Sequence, residues 1–392
     1  MTELSVVLIS KNQAWSVVRL MESVIGETAS VPSKEIILVD SASTDETVEL
    51  AGAYPIRIFR LQRGQPLSPA IGRHVGYKQA QGEYVLFLDG DTELVEGWLA
   101  HALRVMGETP SAGAVTGHVI NLPTAAVKEP AALLRKIEMR APREVLWGSY
   151  GGGGAAMYRR AVLEEVGTFN PYLNSDEEPE LGLRIRHAGY RILELDYPIV
   201  RHYNDAPVAM SSVLNRRSRN FLLGIGQGAR YHLGSALLWR WLRERWWGPA
   251  AVLLMAAGLG TLLWSLLVRD FIWFSSWLLG LCLLVAGLAF RKKSLRGAFV
   301  SVFNWVLLAE GVVRGILIKP LPPENFRATL EVIKDLGNPE VVLAAPNSEM
   351  PPQDFPSNRG KANDSANRRV GAGNSSAARQ QAVSGAEQGT QG

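Results

Sequence analysis

With 392 residues and 47% hydrophobic content, the chain is long enough for one large domain with additions, or for two domains, around a sizeable core. The net charge of +4 is small and no RNA- or DNA-binding motif is visible, so no nucleic-acid partner is expected. The single cysteine, Cys282, lies in an apolar segment, which excludes a disulfide scaffold and thiolate zinc sites.

The N-terminus, "MTELSVVLIS", begins directly on a strand pattern without the basic-then-apolar layout of a signal peptide. The first domain is therefore expected to stay in the cytosol. From residue 4 to about 120, short apolar runs alternate with helical patterns. "LSVVLIS", "EIILVD", "IRIFRL", "YVLFL" and "AGAVTGHVI" are the strands, and helices fall near 13–25, 68–81 and 95–106. This βαβα order predicts an α/β domain on a mostly parallel sheet with helices on both faces. Ligands of such sheets bind beyond the carboxyl ends of the strands.

The stretch "YVLFLDGDTEL", residues 84–94, runs a buried strand pattern into Asp89, Gly90 and Asp91. A solvated turn is the plain explanation, since Asp and Gly favour turns. Asp40, however, ends the second strand as Asp89 ends the fourth. Three carboxylates then face one rim, which a single turn does not explain. Carboxylates gathered at a buried rim are costly unless they are paired or bind a metal.

Farther on, "NSDEEPELGLRIRHAGYRI" (174–192) gathers Asp176, Glu177 and Glu178 ahead of Pro179. Proline suits the first turn of a helix, and the residue before it prefers an extended conformation, so Glu178 is expected at the helix entrance. A capped helix start with a Glu180–Arg184 surface pair is the ordinary alternative.

Residues 211–247 carry Arg216, Arg217, Arg219, Arg230, Arg240, Arg243 and Arg245 among Trp, Leu and Phe. They read as a basic amphipathic juxtamembrane segment drawn to anionic membrane lipids. Residues 248–318 are the membrane region. Two apolar spans, 249–268 and 271–290, are split by Arg269 and Asp270. At 1.5 Å per residue each is about 30 Å long, one bilayer core. A third span, 297–318, contains Glu310 and Arg314 and either crosses or lies in the interface. "RWLRERWW" (240–247) and "RKKSLR" (291–296) are expected to be cytoplasmic, with the 269–270 turn outside. Residues 319–345 read as a short membrane-proximal segment, and 346–392 as a disordered tail poor in large apolar residues. If 297–318 crosses, that tail is outside.

These motifs resemble the family 2 glycosyltransferases of the GT-A fold, inverting enzymes that use nucleotide-sugar donors. The resemblance covers residues 4–205, with the catalytic domain drawn at 1–210. "VVLISKNQ" is similar to the family's first strand and turn, where a polar residue such as Ser10 approaches the nucleotide. "ILVDSASTDET" is similar to "VDxGSTDxT", whose first Asp, here Asp40, holds the uracil ring or ribose. "SPAIGRHVGYKQAQGEYVLFLDGDTEL" is similar to "xxARNxGxxxAxGxYxxFLDxD". Arg73 stands for its nucleotide-contacting arginine, His74 replaces the usual Asn, and Asp89 and Asp91 stand for the Asp-x-Asp motif.

The resemblance implies that Asp89 and Asp91 hold a divalent cation, Mn²⁺ or Mg²⁺, that grips the donor diphosphate, and that Asp89 also borders the donor nucleotide. His202 in "YPIVRHYN" is an implied metal ligand. Glu177 and Glu178 occupy the family's Glu-Asp pair, and Glu178, in place of Asp, aligns with the general base. Backbone near Gly152 and Gly153 in "YGGGGAAMYRR" is expected to approach the sugar.

The function so implied is a metal-dependent, multi-pass glycosyltransferase of the inner or plasma membrane, with its catalytic domain in the cytoplasm. It would move a sugar from a nucleotide sugar, a UDP-sugar in preference to a GDP-sugar, to a lipid-linked or saccharide acceptor in envelope polysaccharide or glycolipid synthesis. Two alternatives stand beside it. A processive polysaccharide synthase would carry Gln-x-x-Arg-Trp where this chain offers "NRRSRNFLLG". A non-catalytic nucleotide-sugar-binding scaffold of an envelope complex would have no need of the acidic cluster.

Overall fold

The computed structural model describes residues 2–128, 141–146, 154–204 and 210–335. The predicted approach of Gly152 and Gly153 to a sugar, and the predicted disordered tail at 346–392, lie outside the described residues.

The first half runs β1 (Leu4–Ser10), α1 (Val17–Thr28), β2 (Lys34–Asp40), α2 (Thr47–Gly52), β3 (Arg57–Leu61), α3 (Pro69–Gln79) and β4 (Tyr84–Asp89). β1, β2 and β4 are almost wholly buried, which is why they read as continuous apolar runs. β5 (Thr92–Leu94), α4 (Trp98–Glu108), β6 (Ala112–Leu122), β7 (Arg143–Glu144), β8 (Ala156–Arg159), α5 (Arg160–Val166), α6 (Glu177–His187) and β9 (Arg191–Tyr203) follow. Six helices come next: α7 (Met210–Ser218), α8 (Gly224–Tyr231), α9 (Leu237–Glu244), α10 (Trp247–Val268), α11 (Ile272–Lys292) and α12 (Leu295–Leu317). The last described strand is β10 (Leu330–Lys334).

All the described strands belong to one sheet, in the order β10-β3-β2-β1-β4-β8-β6-β9-β5, with β7 paired to β9. β1 to β4 are mutually parallel, as the βαβα pattern predicts. The other half is mixed. β8 runs antiparallel to β4 and to β6, whereas β6 and β9 are parallel. One apolar cluster, with Leu20, Leu86 and Trp98, fills one face of the sheet; a second, with Phe59, Phe87 and Phe169, fills the other.

Two parts of the chain differ from their sequence reading. The basic segment 211–247 is not a single surface element. Arg216, Arg217, Arg219, Arg230, Arg240 and Arg243 are exposed, but α8 is buried and Trp241 and Arg245 lie inside. The cause is α6, whose outer side needs cover: Leu183 packs with Trp241 and Ala229, and Arg186 pairs with Glu244 at 2.7 Å.

Residues 319–345, expected to be merely membrane-proximal, contain β10, which joins the sheet antiparallel to β3. Arg57 pairs with Asp335 at 3.0 Å, and Lys334 donates to the Gly52 and Tyr54 carbonyls at 2.8 and 2.7 Å. The short period-two pattern of "LEVIK" is easily missed after a long apolar region.

α10, α11 and α12 are each long and apolar enough to cross a membrane by length and composition. α12 starts two residues ahead of the predicted span, because Ser294 caps it by accepting from Gly297 N.

Candidate active site

Parallel pairing brings the carboxyl ends of β1, β2 and β4 into line. Ser10 lies beside Asp40, and Ile9 beside Asp89. Gly90 lets the chain leave β4 against its neighbours, since a Cβ there would stand 2.8 Å from Gln13 and 3.1 Å from the Ile9 carbonyl and from Ser10 Cβ. Ser10 Oγ is buried with no hydrogen-bond partner, a polar atom at the rim that a ligand would satisfy.

Asp40 is fully buried. Its carboxylate accepts from Ser43 N at 2.9 Å and from Ser43 Oγ, and lies 3.4 Å from Arg60 Nε. It thus shapes the turn that walls the rim. The loop after β1 is clamped to the loop after β2: Asn12 Oδ1 accepts from Thr44 N at 2.8 Å, and Asp45 from Ala14 N at 3.0 Å. Burial acts to raise the Asp45 carboxyl, but hydrogen bonds from Thr47 and Ala14 bring it below its usual range.

Arg73, on α3, is the hub. Its guanidinium is buried, 2.5 Å from Glu177, 2.7 Å from Asp89 and 3.6 Å from Glu178. It also packs over the Phe169 ring at 5.5 Å. Burial opposes its charge, yet Asp89, Glu178 and Glu177 together raise its pKa well above normal. The resemblance offered Arg73 as a nucleotide contact; the fold makes it the cation that gathers the carboxylates of β4 and α6. His74, its neighbour, points away. It contacts the Phe169 carbonyl at 3.0 Å and burial lowers it to about 4, so it is a neutral structural imidazole.

Asp89 is pushed up to about 6, first by burial, against the pull of Arg73, and further by Asp91 and Glu177. Its side chain is nevertheless 27% exposed, so solvent or a ligand can reach it. Glu178 is pushed up to about 8 by burial and by its acidic neighbours, with Arg73 opposing.

α6 starts at Glu177, one residue ahead of the predicted entrance, with Asp176 as N-cap at a left-handed φ of 60°. Pro179 sits in the first turn and needs no acceptor there. The Glu180 N–H makes the bond to the Asp176 carbonyl at 3.1 Å. Glu180 is fully buried between Arg184 at 2.8 Å and His232 at 3.1 Å. Burial alone would raise it, but Arg184 and His232 hold it at about 2.

On the other side of the rim, Tyr203 N donates to the Asp91 carbonyl at 2.9 Å, which locks β9 to the Asp89-Gly90-Asp91 turn. His202 Nε2 lies 3.5 Å from Asp91, and its Nδ1 contacts Asn121 at 3.1 Å. The Asp91 contact raises the pKa of the imidazole.

Among the described residues, no group of three His, Cys, Asp or Glu side chains is placed to hold a metal ion by itself. Mg²⁺, however, uses one or two protein carboxylates and takes its other ligands from substrate phosphates and water. Asp89 and Asp91, with His202 beside Asp91, fit a cation that arrives with a diphosphate.

Sequence reasoning missed two features. Gly154 has a φ of +69°, and a Cβ there would stand 2.3 Å from both Arg73 Nη2 and Asp89 Oδ2. The run of glycines was visible; the one that touches the carboxylate hub was not. The second is the strapping of α6 by later helices: Asp176 pairs with Arg245 at 3.1 Å, and Gln227 bonds to Asn174 and to the Tyr172 carbonyl. Arg245 and Gln227 had no readable partner in the sequence.

Residues 5–167 match the family model described as "Glycosyl transferase family 2". Over 113 residues the chain is 38% identical to polypeptide N-acetylgalactosaminyltransferase 3 of Drosophila melanogaster, a match covering 27% of this chain and 17% of that protein. An uncharacterized glycosyltransferase of Haemophilus influenzae is 25% identical over 187 residues, which cover 46% of this chain and 61% of that one. Among solved structures, the mannosyltransferase PcManGT from Pyrobaculum calidifontis, in complex with GDP-Man and Mn²⁺, aligns with a TM-score of 0.49 at 18% identity, over 80% of this chain and 87% of that one. S. aureus TarS 1–349 in complex with UDP-GlcNAc aligns with a TM-score of 0.45 at 19% identity, over 62% and 72%. The chain thus spans under a fifth of the length of the N-acetylgalactosaminyltransferase it matches.

Proposed function

From the premise that residues 5–167 form a family 2 glycosyltransferase domain on a mixed α/β sheet of GT-A type, we propose that the chain is a membrane-anchored inverting glycosyltransferase. It moves one sugar from a nucleotide-sugar donor, preferably a UDP-sugar, to a lipid-linked acceptor.

The observation that carries this reading is the convergence on Arg73. One buried guanidinium gathers Asp89 from the strand ends and Glu177 and Glu178 from the acidic motif. The donor lies beyond β1, β2 and β4, with the nucleotide against Ser10 and the wall held by Asp40. Asp89 and Asp91, assisted by His202, would hold Mn²⁺ or Mg²⁺, which would supply neutralising charge to a departing diphosphate. Glu178 takes the proton of the acceptor hydroxyl or phosphate. The freed oxygen attacks the anomeric carbon opposite the leaving nucleoside diphosphate, so the configuration inverts. Arg73, between the two carboxylate sets, holds the base and the metal-binding turn in one frame.

A lipid-linked acceptor is favoured over a soluble saccharide because α6 is strapped to the end of α9 and to Arg245, two residues ahead of the candidate membrane helix α10. The deciding experiment incubates washed membranes with radiolabelled UDP- and GDP-sugars and polyprenyl phosphate, with and without chelator. Metal-dependent label in the lipid fraction is expected. Binding of nucleotide sugar with neither transfer nor hydrolysis would replace this reading by the scaffold alternative.

A further inference from the structure

α10 and α11 form an antiparallel hairpin. Phe274 N reaches Ser265 Oγ at 3.4 Å, Trp277 Nε1 donates to the Leu254 carbonyl at 3.2 Å, and the Trp277 ring lies over Gly258. α11 therefore runs back toward the level where α10 began. α12 starts there, after a turn at Lys293 with φ 51°, and Lys292 still reaches Ser301 at 2.6 Å.

Yet the other end of α12 lies at that same level. A Cβ on Gly248, in the first turn of α10, would stand 3.3 Å from Val312, and Ala251 shares a cluster with Leu308 and Val312. Gly311 and Gly315 press on Leu222 and Leu223, just ahead of α8, closely enough that a Cβ on either would meet backbone within 2.6 Å. A helix of this length is about 35 Å long, enough to reach the far side of a bilayer. This one ends where it began, at the foot of the hairpin.

Chain parity gives the same answer independently. The catalytic sheet precedes α10, and β10 follows α12, yet β10 is hydrogen-bonded to β3 of that sheet. The segment between α12 and β10 is fastened to the same domain: Phe326 stacks edge-on against His74 and Tyr172, and Thr329 exchanges hydrogen bonds with Gln65. A strand cannot pair across a bilayer, so the number of crossings between β9 and β10 is even.

We propose that α10 and α11 alone cross the membrane and that α12 lies in its interface on the catalytic side, against lipid. The occupant of its open face is the acyl region of the bilayer. Leu295, Phe299, Val302, Val306, Val313 and Leu317 fall on one stripe at helical spacing, and all but the half-buried Val302 are exposed. Leu308, Val312 and Gly315 occupy the opposite, buried side, and Ala298 and Ala309 are the buried residues bordering the stripe. Arg296, Glu310 and Arg314 flank the stripe, and Glu310 pairs with Arg217 of α7 at 3.1 Å. An apolar stripe with a charged flank is the pattern of a helix lying in the interface plane. The length and hydropathy that make α12 a candidate span are, on this placement, spent along the surface.

The inference rests on α10–α11 being a membrane hairpin, and its test separates the two. In the full chain with Cys282→Ser, single cysteines are introduced as Arg269→Cys, Lys293→Cys and Lys319→Cys. Each is labelled with a membrane-impermeant maleimide in sealed vesicles of both orientations. Residues 293 and 319 should label from one face and residue 269 from the other. Labelling of 319 from the face opposite 293 overturns the proposal. Labelling of all three from one face overturns the hairpin itself. Spin labels at Phe299→Cys, Val306→Cys and Val313→Cys should report one common depth. A depth that passes through the bilayer centre along the helix would make α12 a crossing after all.

Discussion

Arg245, at the entrance to the first membrane helix, lies 3.1 Å from the carboxylate of Asp176, the N-cap of the helix that carries the acidic motif. Burial lowers the Arg245 pKa and raises that of Asp176, each against the pull of the other's charge. The pair ties the start of the candidate membrane helix α10 to the N-cap of α6, and on the proposed function it would help to position the base. Arg245→Leu should leave Asp176 unpaired and lower stability by about 3 kcal/mol, since removing one partner strands the other charge. Transfer should fall about tenfold or more while donor affinity is largely kept. Arg245→Leu combined with Asp176→Asn should recover part of the stability. Thermal unfolding and turnover of the two single variants and the double variant check it.

The base assignment yields a pH profile. Burial, with Glu177 and Asp89 beside it, raises the Glu178 carboxyl above its ordinary value, so the deprotonated form that accepts a proton is gained as pH rises. Turnover should climb as pH rises toward 8. Glu178→Gln should lose roughly 10²-fold or more in transfer. It should also lose that pH dependence, yet still bind donor. Glu177→Gln weakens the 2.5 Å contact to Arg73 and should cost less. A normal Glu178→Gln enzyme beside a dead Glu177→Gln enzyme would move the base one residue back.

For the cation, Asp91→Ala and excess chelator should each abolish transfer without unfolding the domain. Circular dichroism alongside the transfer assay separates the two effects. Full activity of folded Asp91→Ala would remove Asp91 from the metal site.

Gly154→Ala should be unable to keep the hub intact. Its φ of +69° strains any L side chain, and the added Cβ would fall 2.3 Å from Arg73 and Asp89. The backbone strain is worth about 1 kcal/mol or more. Nucleotide affinity, read by calorimetry, should drop at least tenfold, well beyond any change in melting temperature.

Glu180 offers an acid-stability test. Its folded value of about 2 lies below the ordinary 4.5, so its charged form is favoured in the native state. The stability it adds is present above 4.5 and is lost as pH falls toward 2. Glu180→Gln should flatten the loss of melting temperature across that window.

Much of this was legible in the sequence because parallel strands announce themselves. Runs such as "YVLFLDGD" carry both a buried strand and the polar residues that end it, so Asp40, Asp89 and Asp91 could be read from the strand ends alone, whereas Ser10 needed the family resemblance. Arg73 and the acidic run were found by resemblance, but their mutual contact was not, because they lie 104 positions apart in the chain. Arg245 looked like one more arginine in a basic stretch, since burial beside Asp176 has no local signature. The short β10 failed for a similar reason: edge strands need few apolar residues, and its pairing partner β3 precedes it by the whole membrane region.

That late strand also sets an order of assembly. Arg57–Leu61, the partner of β10, is made long before Leu330–Lys334, with the entire hairpin between them. While α10 and α11 are being inserted, β3 is an open sheet edge carrying unpaired backbone groups, the kind of edge that invites wrong pairing. On the proposed topology, the last seam of the sheet closes only once the chain has entered the bilayer and come back. On that topology insertion would be checked by folding: a chain whose hairpin failed to return would leave the β3 edge exposed, a fault that proteases and chaperones can recognise.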